Sequence, residues 1–233
     1  PEHDQIRSKI EKKNIFSILD FGEHGFKGVK IETIGLILNG RKIIDNKVKF
    51  YSYANKKYLL QNQDYIIDSK FPYWLLYRNK FFDQVCKKME FGVFNFFRDR
   101  QITKKHTLNK GKIRVLKSRN ISNNNIVSLD GYDTYLNQID SFAVSKYLNK
   151  KNVYLVPNLT YYPRACKLPE NSIVDGSAAL IFPKNNQIIN NEQIEFFASD
   201  EFTNFYRIAR NFGTRSLNID RNSIFFWGLK KTG

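Results

Sequence analysis

Acidic residues are scarce in this chain: 22 Asp and Glu stand against 38 Lys and Arg, a formal net charge of +16 over 233 residues. A surplus of that size draws polyanions, which release their counterions on contact, so nucleic acid is the first partner to consider. Cysteine is nearly absent. Cys86 and Cys166 lie far apart, without the paired spacing of a zinc site or a secreted disulfide framework, and this usage points to a reducing cytosol. No run approaches the roughly 18 to 20 apolar residues of a membrane span and no apolar leader follows the start, so a soluble, cytoplasmic chain is expected. A glycine-rich phosphate loop, of either the GxGxxG or the Walker kind, is also missing, which argues against nucleotide-cofactor binding by this segment. Histidine occurs only as His3, His24 and His106, in polar loops without a matching Cys or Ser signature, and the acids form no metal-ligand cluster. Neither hydrolysis nor a bound metal is therefore expected.

What the chain does have is concentrated positive charge. The window 98–119, RDRQITKKHTLNKGKIRVLKSR, holds nine Lys and Arg against one acid, Asp99, and so half of the formal net charge. A solvated basic face is the competing reading, and a coding bias toward Asn, Lys, Ile, Tyr and Phe lowers the weight of any single Lys or Asn. On an extended strand Lys112 and Arg114 project to one side while Ile113 and Val115 project to the other. Arg119 and Asn120, at the exit turn, carry the side chains that read guanine and adenine in bidentate geometry. Tyr161, Tyr162 and Arg164, in the segment YYPR, put two stacking rings and a cation in one loop, which fits base contact or ordinary loop packing.

Hydrophobic patterning divides the chain. Residues 15–21 (IFSILDF) and 29–38 (VKIETIGLIL) read as strands apolar on both faces, suited to the centre of a covered sheet, with a turn at 40–46 and a third strand at 47–53. The first residues look like the interior of a helix, and Pro1 is no initiator methionine, so the chain is expected to be part of a longer one. Between 58 and 97 the aromatic-rich text, with Trp74, Leu75, Tyr77, Phe81, Phe82 and Val85 at helical intervals, reads as one or two connector helices. Beyond it, strands are expected at 113–116, 151–158 and 178–182, with an Asn-rich turn at 122–125. Ser199 is placed to cap a helix whose stripe of Phe202, Phe205, Tyr206 and Ala209 faces a core and which Gly213 ends. A last apolar run, 223–229, reads as a strand returning to the sheet. The expected division is 1–55, 56–91 and 92–233, and the expected class is α+β: the closing strands of an α/β sheet followed by a mixed α/β domain.

Two blocks resemble one family. ILDFGEHGFKGVKIETIGLILN (18–39) is similar to late strands of the catalytic domain of TaqI-like N6-adenine DNA methyltransferases of type II restriction-modification systems, and GKIRVLKSRNI (111–121) resembles the strand and turn that open their target recognition domain. VYLVPNLTYYPRA (153–165), the helix at 200–211 and the ending SLNIDRNSIFFWGL follow in the family's order. The resemblance implies residues 1–55 as the end of the catalytic domain, 56–91 as connector and 92–233 as a target recognition domain for double-stranded DNA. It also implies a missing N-terminal catalytic half as partner, S-adenosylmethionine as methyl donor of the full-length enzyme only, and a cognate restriction endonuclease acting on the same site.

The chain has no NPPY or equivalent tetrapeptide and no cofactor motif, so no catalytic residue is expected in it. Phe26 matches the position where the family sets a ring against the flipped adenine; the alternative is a loop Phe closing the sheet edge. Within the recognition domain Lys104, Lys105, Lys110, Lys112, Arg114 and Lys117 are expected to clamp phosphates and Arg119, Asn120 and Arg164 to contact bases, with Tyr161 and Tyr162 available for stacking. Two rivals stand beside this reading. One is the DNA-specificity subunit of a multisubunit restriction system, which would need long heptad helices. The other is a complete nuclease, for which Asp130, Asp133 and Asp140 are the nearest approach to an acidic cluster.

Overall fold

The structure, a computed structural model, describes residues 4–40, 46–185, 187–210, 212 and 216–231. It is a mixed α+β fold of small sheets and few helices. The chain divides into two compact units, the first formed by residues up to Lys80 with 211–215, the second by 81–210 with 216–233.

In the first unit a short helix, α1 (Asp4–Glu11), precedes β1 (Asn14–Gly22), β2 (Thr33–Asn39), β3 (Lys47–Ser52) and β4 (Lys57–Asn62), followed by a single helical turn, α2 (Gln63–Ile66). The four strands form one sheet in the order β2-β1-β3-β4. β1 and β3 run parallel, while β2 and β4 are antiparallel to their neighbours. Ile15, Ile18, Val48, Phe50 and Ile66 are almost fully buried on the inner side, with Leu36, Leu59, Trp74 and Tyr77 packed against them. Gln63 pins the sheet to α1: its carbonyl accepts from the Ile15 amide at 2.8 Å and its amide donates to the carbonyls of Glu11 and Lys13 at 3.2 and 2.9 Å. Asp20 is buried at the end of β1, where its carboxylate accepts from the Gly22 amide, the Ser52 hydroxyl and the Tyr77 phenol.

Two strand expectations change here. β1 is central, as its two apolar faces suggested, but β2 begins only at Thr33 and is an edge strand of this sheet, with Ile34, Ile37 and Leu38 substantially exposed. Periodicity reports which faces are apolar, and nothing local reports whether a second layer covers them. The stretch at 57–62, read as the start of a helical connector, is instead β4, paired along its whole length with β3. Register with a neighbouring strand overrode the weak local preference. Most of the turn expected at 40–46 lies outside the described residues.

The second unit begins within α3 (Lys80–Lys88), followed by β5 (Met89–Glu90), β6 (Phe94–Phe97), β7 (Ile113–Leu116), the ribbon β8 (Ile121–Ser122) and β9 (Asn125–Ile126), β10 (Thr134–Leu136), β11 (Tyr154–Pro157), β12 (Leu159–Thr160), β13 (Cys166–Lys167), β14 (Ser172–Val174), β15 (Ala178–Pro183), α4 (Asn191–Phe196), α5 (Asp200–Ala209), β16 (Leu217–Asn218) and β17 (Leu229–Lys230). Its sheets run β13-β11-β15-β6 and β10-β7-β14. They share a core of Val115, Leu116, Leu136, Leu155, Ile173, Val174 and Leu180. A second, aromatic cluster forms where Phe202, Phe205 and Tyr206 of α5 meet Phe82, Phe197, Phe226 and Trp227. α5 is capped as expected, the Ser199 hydroxyl accepting from the Phe202 amide at 3.1 Å, and Ala209 is its last helical residue; Gly213 lies outside the described residues. The run at 223–229 is mostly a 3-10 turn, with only Leu229 and Lys230 pairing with β5, because the rings of Phe226 and Trp227 are drawn into the aromatic cluster.

Candidate nucleic-acid interface

Within the basic window the sole acid is withdrawn from the surface. Asp99 is 1% exposed, and one of its carboxylate oxygens accepts from the amides of Gln101 and Ile102 at 2.9 and 2.8 Å. It serves as a turn cap, so the exposed charge of the window is cationic. Lys104 and Lys105 sit in a 3-10 turn held by Thr103 and His106, and both are exposed, as are Arg100, Lys110, Lys112 and Arg119. Segment 108–112 runs beside β10: Leu108 exchanges backbone hydrogen bonds with Tyr135, and the Lys112 amide donates to the Asn137 side chain at 3.3 Å. Gly111 is required there, since a Cβ would lie 2.9 Å from the Leu136 carbonyl oxygen.

β7 then enters the core through Val115 and Leu116 and delivers the chain to a 3-10 turn at Ser118–Asn120. That turn is fixed by a buried polar hub. Asn120 is fully buried; its side-chain oxygen accepts from the Lys117 amide at 2.9 Å, and its amide donates to the Val127 carbonyl at 3.0 Å and to Asp133 at 2.6 Å. The other Asp133 oxygen accepts from Arg114 at 2.6 Å, and Arg114 also donates to the Val127 carbonyl at 3.1 Å. Lys117 donates to the Tyr132 carbonyl at 2.8 Å with its ammonium 4.7 Å from that ring's centre. Arg119 remains exposed, its guanidinium resting 4.9 Å from the centre of the same Tyr132 ring.

Arg164 locks a second loop to this turn. Its Nε donates to the Ile121 carbonyl, one terminal nitrogen donates to the Ser118 carbonyl at 3.1 Å, and the other to the Thr160 hydroxyl and Tyr162 carbonyl at 2.9 and 3.0 Å. Burial pulls its guanidinium down from the usual arginine value, and the same burial pushes the neighbouring Cys166 thiol up to about 12. The rings of Tyr161 and Tyr162, at 56% and 68% exposed, are left on the outside of the loop that Arg164 anchors.

The expected site residues therefore separate. Lys104, Lys105, Lys110, Lys112 and Arg119 are exposed, and Tyr161 and Tyr162 join them as exposed groups. Asn120 is corrected from base reader to turn anchor, because its side chain is fully buried with both amide hydrogens and its oxygen bonded inside the fold. Arg164 is corrected in the same way, each of its nitrogens being engaged with the protein. Arg114 and Lys117 are corrected from phosphate clamps to scaffold, tied to Asp133 and to Tyr132. Sequence reasoning named Asp133 only among the acids weighed for a nuclease and missed Tyr132; no local signal marked the acid and the ring on which this turn is built.

Phe26 lies in the first unit, in the turn after β1, bridged to Val29 and 60% exposed. Among the described residues no group of three His, Cys, Asp or Glu is placed to hold a metal ion, and no helix is long and apolar enough to cross a membrane. No family model matches the chain, and no curated protein matches it.

Proposed function

We propose that this chain is the sequence-specific DNA-recognition part of an N6-adenine DNA methyltransferase of a restriction-modification system. Its second unit grips double-stranded DNA through Lys104, Lys105, Lys110 and Lys112, and Arg119 reads a base edge from a rigid turn. The observation that carries this reading is a contrast at the basic window: its one acid, Asp99, and Asn120 just beyond it are buried as scaffold, while seven of its nine cations remain exposed. A preorganised Arg at a braced turn loses little freedom on binding, which favours bidentate recognition over loose charge attraction. Methyl transfer needs the target adenine out of the stack. S-adenosylmethionine would supply the methyl group in the full-length enzyme, held by its missing N-terminal half, and Phe26 would stack on the extruded base. A cognate endonuclease would share the recognised site.

Duplex titration by fluorescence anisotropy tests the reading. Lys110→Ala with Lys112→Ala is expected to weaken all duplexes alike and to lower the salt slope by about 1 per lysine. Arg119→Ala is expected to relax preference at one position, losing about 1 to 3 kcal/mol of discrimination there. An affinity for duplex DNA indifferent to all three changes overturns the assignment. The specificity-subunit alternative fits less well, since the longest described helix, α5, has ten residues. The nuclease alternative is weakened by Asp133, whose carboxylate is committed to Asn120 and Arg114.

A further inference from the structure

Among the described residues, the strands of the first unit's sheet present aromatic rings and lysines on its outer face and no acid. Across the strands, Gly35, Leu19, Tyr51 and Tyr58 form one row, and Ile37, Ser17, Lys49 and Leu60 the next. Tyr51 and Tyr58 are 43% and 52% exposed and their rings lie 4.8 Å apart. Lys49 reaches over the Phe16 ring at 4.6 Å, and Lys47, Lys56 and Lys57 are exposed around the same strands. Asp20 is the single acid in the four strands, and its carboxylate is buried on the opposite side. Gly35 leaves an opening beside Leu19, where a Cβ would touch the Phe21 ring at 3.4 Å. At this end of β1 and β3, both of which finish here as parallel neighbours, Leu19, Phe21, Tyr51, Tyr53, Lys57 and Tyr58 line a cleft of about 500 Å³. Asp20 also borders it, with its carboxylate already bonded to the Gly22 amide, the Ser52 hydroxyl and the Tyr77 phenol.

We propose that this face is a stacking platform for unpaired bases of single-stranded nucleic acid. Adjacent exposed rings give each base a π-face, nearby ammonium groups meet the phosphates, and the one bordering carboxylate, Asp20, is buried and already hydrogen-bonded, so it adds little repulsion to a polyanion. A cleft at the carboxyl ends of parallel strands is where open sheets hold ligands, and its size falls within the range of such sites. The lysines bordering these rings favour a polyanion over a neutral protein surface. The inference rests on the reading of the chain as a DNA-acting protein, since strand separation or base extrusion supplies the unpaired segment, but it assigns the contact to the first unit rather than to the basic window.

The test uses the whole chain and a labelled short oligothymidylate, titrated beside a duplex of mixed sequence. Tyr51→Leu with Tyr58→Leu, which keeps apolar bulk and removes the rings, is expected to weaken oligothymidylate binding at least tenfold and to leave duplex binding unchanged. Tyr51→Phe with Tyr58→Phe is expected to retain it, which also shows that the sheet tolerates substitution at these positions. Lys110→Ala with Lys112→Ala is expected to show the reverse, weakening duplex binding alone, so failure of the platform and failure of the duplex reading are separable. Retained oligothymidylate affinity in the Leu variant overturns the proposal, as does no binding by the wild type. Concentration-dependent dimers abolished by Leu60→Asp also overturn it, marking the face as a contact between copies.

Discussion

Asn120 shows how a polar side chain can look like a reader and act as a brace. It satisfies three hydrogen bonds in a buried turn. Asn120→Ala would leave the Lys117 amide, the Val127 carbonyl and Asp133 short of partners, with an expected loss of about 2 to 3 kcal/mol in urea unfolding. Its effect on duplex specificity should be broad rather than confined to one base position, in contrast to Arg119→Ala. Asp220 illustrates the same economy with charge. Burial pushes its carboxyl up, but the Ser223 amide, the Arg210 guanidinium and the Asn222 amide outweigh burial and hold it below the usual carboxylate value of 3.8. A carboxyl lowered in the folded state stabilises the fold above its unfolded value, and that contribution is lost as pH falls through the folded one. Asp220→Asn is therefore expected to flatten the acid limb of a stability profile below about pH 4, read by thermal unfolding across that range.

At the scale of elements, the end of the basic window is held in shape because β7 and the turn after it are fixed from three directions. β10 and β14 pair with β7 on either side, and Arg164 ties the turn to the loop before β13. Removing the Ser199 cap of α5 is expected to cost about 1 kcal/mol, measured by denaturant midpoint, without altering DNA affinity. A harsher change lies at the closing ribbon. A Cβ at Gly228 would stand 2.4 Å from the Glu90 carbonyl oxygen, so Gly228→Ala should separate β17 from β5 and cost more than the loss of the cap.

For the whole molecule, charge and burial set different observables. Buried Cys166 has its thiol pushed up to about 12 from an ordinary value of 9.0. A group whose folded value is raised stabilises fully below its unfolded value and loses that contribution as pH rises through the folded one, so stability should decline between about pH 9 and 12 on this account. Cys166→Ser should reduce that alkaline loss, read by denaturant unfolding at successive pH values. Duplex binding is expected to follow a log–log salt slope of about −3.6, the value for four phosphate contacts by Lys104, Lys105, Lys110 and Lys112. A slope near −8 would mean that the scaffold cations Arg114 and Lys117, with others, also engage phosphates.

The α+β class, the strands at β1, β3, β7, β11 and β15, and the capped α5 were legible in the chain, because each rests on local periodicity or on a side chain meeting its own backbone. The surplus of positive charge and its concentration in one window were likewise a property of the sequence alone. What each cation does was not. Arg114 and Asn120 are scaffold because Asp133 comes within reach only once β10 pairs with β7, and Arg164 because its loop folds back on the turn at 118–121. β2 likewise reads as a covered strand until pairing sets it at an edge. A residue's type and neighbours decide what it can bond to; only the folded chain, by bringing distant donors and acceptors together and withdrawing them from water, decides which of those bonds are already made and which remain for a ligand.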